Sequence, residues 1–139
     1  VDDIDRMILA ALEADGRLSM RALGAQIHLS VPSTARRVQR LEESGVITGY
    51  GARIDRDRLG PRTHAYVECI MKSTRHAGFR TFLAGEPCVR EVHRVAGPAC
   101  YLLNVETPDA ATLEAFLERL LAHANYRVSI VLSSTPLSS

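Results

Sequence analysis

Three arginines, Arg36, Arg37 and Arg40, fall within five residues of the stretch "LSVPSTARRVQRLEESGVITGY" (29–50). At a helical period they sit with Ser33 and Thr34 on the side away from Ala35, Val38 and Leu41, the apolar positions that face inward. A guanidinium offers a rigid fork of donors that matches the paired acceptors on the major-groove edge of guanine, and it also suits a phosphate. Contact with double-stranded DNA is the chemistry these residues fit. Ser33, Thr34, Arg36 and Arg37 are expected to reach base edges, with Ser30 capping the helix beside them. Arg40 and the later Arg53 are expected to meet phosphates, which give affinity without sequence choice.

Other chemistries lack their residues. No two of the histidines (28, 64, 76, 93 and 123) share a ligand-like spacing on one helix, and cysteines 69, 88 and 100 form no CxxC pair. There is no Ser-His-Asp arrangement, paired-carboxylate motif or glycine-rich phosphate loop, so no metal, no cofactor and no catalytic residues are expected. The thiols are expected to be reduced and structural, since nothing in the sequence lowers their pKa. No apolar run approaches the roughly 18 residues of a membrane span, and a cytoplasmic protein without a membrane partner is expected.

Charge points to the same segment. The net value is only +1, yet residues 31–62 carry seven arginines against four acids, while residues 1–30 carry three against five. The remaining residues balance at seven against seven. A basic segment inside a near-neutral chain is a footprint for a polyanion.

The elements that must position these residues can be read around them. In "DDIDRMILAALEADG", Ile4, Ile8, Ala11 and Leu12 make one buried helical stripe, with Asp2 or Asp3 as cap and Gly16 expected in a left-handed terminus. A short helix follows from the cap Ser19 to about Ile27, with Leu18 before it placed to pack on Leu23. A third starts at the cap Ser30 and stops at Gly45. Only "HLS" joins the last two, which is the spacing of a helix-turn-helix. "VITGYGARI" (46–54) reads as a strand, and "DRDRLGPR" with Gly60-Pro61 breaks regular structure.

The second half reads β-α-β-β-α-β: strands in 64–72, 89–96, 100–107 and 126–134, and helices containing Phe79, Phe82 and Leu83, then Leu113, Phe116, Leu117, Leu120 and Leu121. The fold class is α+β, three helices followed by a ferredoxin-like βαββαβ domain with two helices on one face of an antiparallel sheet. The expected division is 1–48 for the helix-turn-helix, 49–62 for a linker strand and hinge, and 63–139 for the sheet domain, whose closing "STPLSS" should fray. Apolar residues occupy both alternating sets in "YVECIM" and "YLLNV", so the bare sheet face is expected to pair with a second copy.

The chain resembles the Lrp/AsnC family of bacterial and archaeal regulators along essentially its whole length. "DDIDRMILAALEADGRLSMRALGAQIHLS", "RVQRLEESGVITGY" and "VHRVAGPACYLL" carry the likeness. The resemblance implies a sequence-specific DNA-binding transcriptional regulator, a homodimer that often builds tetramers or octamers, and an effector-sensing C-terminal domain. It places the effector at Gly97, Pro98, Ala99, Cys100 and Tyr101, with Ala110 and Ile130, and makes an amino acid the first candidate ligand.

Two departures stand out. The turn before Leu29 has His28 where the family commonly has glycine, so His28 is expected to adopt a left-handed backbone at some cost. The hairpin reads Gly97-Pro98-Ala99-Cys100-Tyr101 where relatives that bind amino acids carry "GDxDY". With both carboxylates gone, a buried ammonium has no partner, and free amino acids are expected to bind weakly or not at all. Sirohaem decarboxylases resemble the same two-domain arrangement and are the alternative; His64 and His93 would be the residues handling a tetrapyrrole's carboxylates.

Overall fold

The computed structural model describes residues 1–137; Ser138 and Ser139, the end of "STPLSS", lie outside the described residues. The chain divides into two compact units, Val1–Ile54 and Asp55–Leu137.

The first unit holds α1 (Asp3–Ala14), α2 (Met20–Ile27) and α3 (Val31–Glu43). Asp2 caps α1 reciprocally: its carboxylate accepts from the Asp5 N–H at 2.8 Å, and the Asp5 carboxylate accepts from the Asp2 N–H at 3.1 Å. Ser19 and Ser30 cap α2 and α3 through the Ala22 and Ser33 N–H groups. Ile8, Leu12, Leu23, Ile27, Val38 and Leu41 form the core, with Leu18 packed against it. His28 takes the left-handed conformation, φ 58° and ψ 42°, as the short turn demands. Gly45 ends α3 at φ 74°. Gly16 is not left-handed as expected; α1 instead ends on Asp15 in an extended conformation.

The expected strand over 46–54 does not form. The segment folds back over its own helices: Ile47 N–H donates to the Leu41 carbonyl, Tyr50 Oη to Glu42, and Arg53 to the Ala14 carbonyl. β-propensity cannot make a strand without a neighbouring edge.

The second unit opens with a 3₁₀ turn, Arg56–Leu59, and continues through β1 (Thr63–Met71), α4 (His76–Ala84), β2 (Val89–Arg94), β3 (Tyr101–Thr107), α5 (Ala110–Leu120) and β4 (Ala124–Ile130). All pairings are antiparallel and the spatial order is β2-β3-β1-β4, the ferredoxin-like arrangement. Asp109 caps α5 through the Thr112 N–H at 2.7 Å. Alternation sends Ala65, Val67, Cys69, Leu103 and Val105 to one face, where Phe79, Leu83, Leu113, Phe116 and Leu120 of the two helices seal them. Burial pushes the Cys69 thiol up to about 12, so it sits there as a small hydrophobe.

The opposite face is more polar than the expectation of two apolar sets. His64, Tyr66, Glu68 and Ile70 of β1 alternate onto it, with Leu102, Asn104 and Glu106 of β3. Glu106 is nearly buried there because Arg56, Arg62 and Arg90 converge on its carboxylate. Tyr66, Ile70 and Leu102 are what remains of an apolar stripe.

Candidate nucleic-acid interface and effector hairpin

The turn between α2 and α3 brings two backbones together at Gly24. A Cβ there would stand 2.7 Å from the Leu29 carbonyl oxygen and 2.9 Å from Thr34 Oγ1, closer than real contacts allow. Leu29 N–H closes the turn onto the Gly24 carbonyl at 2.9 Å. Thr34 is wholly buried at this crossing, and its hydroxyl donates to the Ser30 carbonyl at 2.9 Å. It therefore leaves the set of outward residues: the geometry that docks α3 on α2 uses Thr34 as packing. A glycine inside a helix costs about 1 kcal/mol against alanine, and here the close approach of the two backbones requires it.

Arg37 also turns inward. Its Nη1 lies 2.7 Å from Asp2 Oδ2 and 2.9 Å from Asp5 Oδ1, and only 22% of its side chain is exposed. The hydrogen bond from Arg37, with that from the Asp5 N–H, pulls the Asp2 carboxyl down to about 2; Asp5 is lowered by the Asp2 N–H and by Arg37. The expected base contact is corrected to a clamp between α3 and the cap of α1. The pairing spans more than 30 residues of chain, and no local spacing announces it.

What α3 presents outward is Ser33, Arg36 and Arg40, all exposed, and neither arginine has an acidic partner among the described residues. Ser30 Oγ donates to Ser33 Oγ at 3.0 Å, which fixes both hydroxyls at the N-terminus of the helix. Arg53 is exposed but donates to Ala14 at the end of α1. Arg21, in the first turn of α2, is exposed and likewise without an acidic partner among the described residues; a lone arginine in its helix, it carries no local charge run in the sequence that would mark it.

In the sheet unit, six of the seven expected effector residues form two groups. Gly97, Pro98, Ala99 and Cys100 make the β2–β3 hairpin, with Gly97 at φ 138° and the Cys100 N–H donating 2.8 Å to the Cys69 carbonyl. Ile130 lies toward the other end of β3, since it pairs with Ala65, which pairs with Val105; Ala110 follows β3 at that same end. Four residues of strand, about 13 Å, separate Tyr101 from Val105. One chain does not bring the two groups together.

Tyr101 is corrected from the pocket lining to the core: it is 1% exposed, packs on Phe79, and its hydroxyl meets His76 Nδ1 at 3.0 Å. The Arg94 guanidinium lies 5.3 Å above its ring and 3.3 Å from His76 Nδ1. A cation, not a carboxylate, flanks the hairpin.

His64 and His93 lie on β1 and β2 with β3 between them, opposite Glu106 and Leu102. His64 Nε2 is 2.7 Å from Asn104 and His93 Nε2 is 3.2 Å from Glu91. Among the described residues, no three His, Cys, Asp or Glu side chains gather as a metal site would need, and no helix is long and apolar enough to cross a membrane.

Two family models match the chain: a winged helix-turn-helix DNA-binding model over residues 1–48 and an Lrp/AsnC ligand binding domain model over residues 64–137. The HTH-type transcriptional regulator YezC of Bacillus subtilis is 40% identical over 135 residues, covering 97% of this chain and 96% of that protein. The HTH-type regulator LrpA of the same organism is 36% identical, covering 95% and 98% respectively. The solved structure of B. subtilis LrpC matches with a TM-score of 0.90 at 32% identity over 99% of each chain.

Proposed function

The chain belongs to the Lrp/AsnC family of DNA-binding transcriptional regulators, and on that footing we propose that α3 enters the major groove with Ser33 and Arg36 toward base edges and Arg40 and Arg21 toward phosphates. One observation carries this assignment: of the three arginines of α3, the structure pairs Arg37 internally and leaves Arg36 and Arg40 outward without an acidic partner among the described residues. A helix that needed its arginines only for stability would pair them as it pairs Arg37.

The working unit is a homodimer, joined through the open sheet face and able to build tetramers or octamers. An effector pocket drawing on Gly97–Cys100 together with Ala110 and Ile130 requires a second copy, because one chain holds those groups at opposite ends of β3. The ligand binding domain match supports a small effector at that junction. The hairpin, without a carboxylate and flanked by Arg94, disfavours an amino-acid ammonium.

The regulator reading is preferred to a decarboxylase. Its relatives are named as transcriptional regulators, and His64 and His93 stand on strands separated by β3, each engaged with a neighbouring side chain. The test is selection of bound sequences from random duplex DNA, with and without a panel of amino acids and other small metabolites. A recurrent site with two-fold symmetry is expected; no enrichment of any sequence would refute the assignment.

A further inference from the structure

One feature of α3 is unaccounted for by charge. Its first helical residue, Val31, is 45% exposed although it is β-branched and apolar, and Pro32 beside it is exposed as well. Single exposed apolar residues are common on protein surfaces. Val31 is distinguished by its place. It follows the cap Ser30 at the N-terminus of the helix, the end at which Ser33 is also exposed, and the core of the unit is complete without it.

In a helix-turn-helix the N-terminal residues of the second helix are those that reach base edges. An apolar group there has one apolar counterpart in the major groove, the C5-methyl of thymine; every other exposed edge is a hydrogen-bond donor or acceptor, apart from a small C–H edge on cytosine. Val31 is preordered for such a contact: its branched side chain is confined to one preferred rotamer in a helix, so little freedom remains to be lost.

We propose that Val31 is a specificity-determining residue that packs on a thymine methyl, so that each half-site carries a thymine beside the guanine read by Arg36. This rests on α3 being the recognition helix and adds a base preference that the arginines cannot supply. Arginine discriminates guanine through paired acceptors, whereas the methyl contact is the only feature that separates thymine from uracil.

That last fact gives the test. The full-length protein and Val31→Ala are each used to select bound duplexes. Every thymine of the selected site is then replaced singly by uracil, which removes the methyl and keeps the O4 acceptor. One thymine in each half-site is expected to cost the wild-type protein about fourfold in affinity, the size of burying one methyl group. The same replacement should cost Val31→Ala nothing. Because the change is made in the DNA, the wild-type series stands on its own whatever the variant's stability.

If a site is selected but no uracil replacement weakens the wild-type protein, Val31 is overturned as a reader while α3 remains the DNA-binding helix. A uracil effect that persists undiminished in a folded Val31→Ala assigns the methyl contact to another residue and also overturns the proposal. If no site is selected, α3 as the recognition helix fails, and the role of Val31 fails with it.

Discussion

Arg36 and Arg40 lie four residues apart and exposed on α3, yet the proposed groove contact gives them different partners. On the proposed docking, Arg36 in the N-terminal half of α3 would meet base edges and Arg40 in the last turn would meet the sugar-phosphate rim. Arg36→Ala is therefore expected to cost about 1–3 kcal/mol on the selected site and little on a scrambled duplex. Arg40→Ala should weaken both alike and lower the salt slope by about one. Binding curves across ionic strength decide; equal losses on both duplexes for Arg36→Ala would move it to the phosphate class. At the hairpin, residue chemistry makes a negative prediction. A carboxylate about 4 Å from an ammonium supplies on the order of 4 kcal/mol at an effective dielectric of about 20. Pro98 and Cys100 supply none of it, and losing even half weakens binding about 30-fold. Calorimetric titration of the twenty amino acids is expected to show no micromolar ligand, and any such ligand refutes the claim. Pro98→Asp with Cys100→Asp is the first variant in which a response should appear.

The elements themselves were legible because their signals are local. Caps at Asp2, Ser19 and Ser30 and the spacing of Ile8, Leu12, Phe116 and Leu120 each lie within a turn or two of what they determine. The joints between elements were not legible. Thr34 lies four residues before Val38 and seven before Leu41, and Arg37 four before Leu41, so both border the apolar stripe, but only the structure shows what they meet, Gly24 for one and Asp2 and Asp5 for the other. These joints make the sharpest predictions at this scale. Gly24→Ala forces a Cβ onto the Leu29 carbonyl, which is backbone and cannot swing away. It should lower the melting temperature of the N-terminal unit by many degrees and abolish DNA binding, while the sheet unit melts as before; an unchanged first transition would show that the crossing relaxes freely. Arg37→Met removes the clamp and should lower stability modestly at neutral pH. The acid dependence has a definite sign. Asp2 is depressed to about 2 from the ordinary value near 4, so the pair's contribution is present above about 4 and is lost as pH falls through about 2. Thermal melts over that window should fall more steeply for the wild-type chain than for Arg37→Met. Parallel curves would mean the ion pairs contribute nothing.

At the scale of the molecule, the unanswered demand is the open face of the sheet. Tyr66 and Ile70 remain 42% and 39% exposed on it, on the side opposite both helices. The sequence pattern, with apolar residues in both alternating sets, suggested a second face that wants burial; Glu68, Asn104 and Glu106 make it mixed, with the Glu106 charge already met by three arginines. A mixed face with an apolar stripe and its buried charge satisfied suits an isologous contact between identical chains, where each stripe meets its own copy. DNA supplies an independent reason for the same symmetry. A single α3 reads a few base pairs, whereas two helices held by a two-fold axis read half-sites about one helical turn apart. Tethering then makes the second contact effectively intramolecular and raises affinity by about 10²–10⁴. The double variant Tyr66→Glu, Ile70→Glu places four like charges in a symmetric contact and leaves the helix-side core untouched. It should sediment as a folded monomer at micromolar concentration and lose at least about a hundredfold in affinity for the symmetric site. Its affinity for a single half-site should match that of the wild-type protein, which separates lost assembly from a damaged α3. A wild-type chain that sediments as a monomer at that concentration, or a double variant that still dimerises, would move the interface off this face.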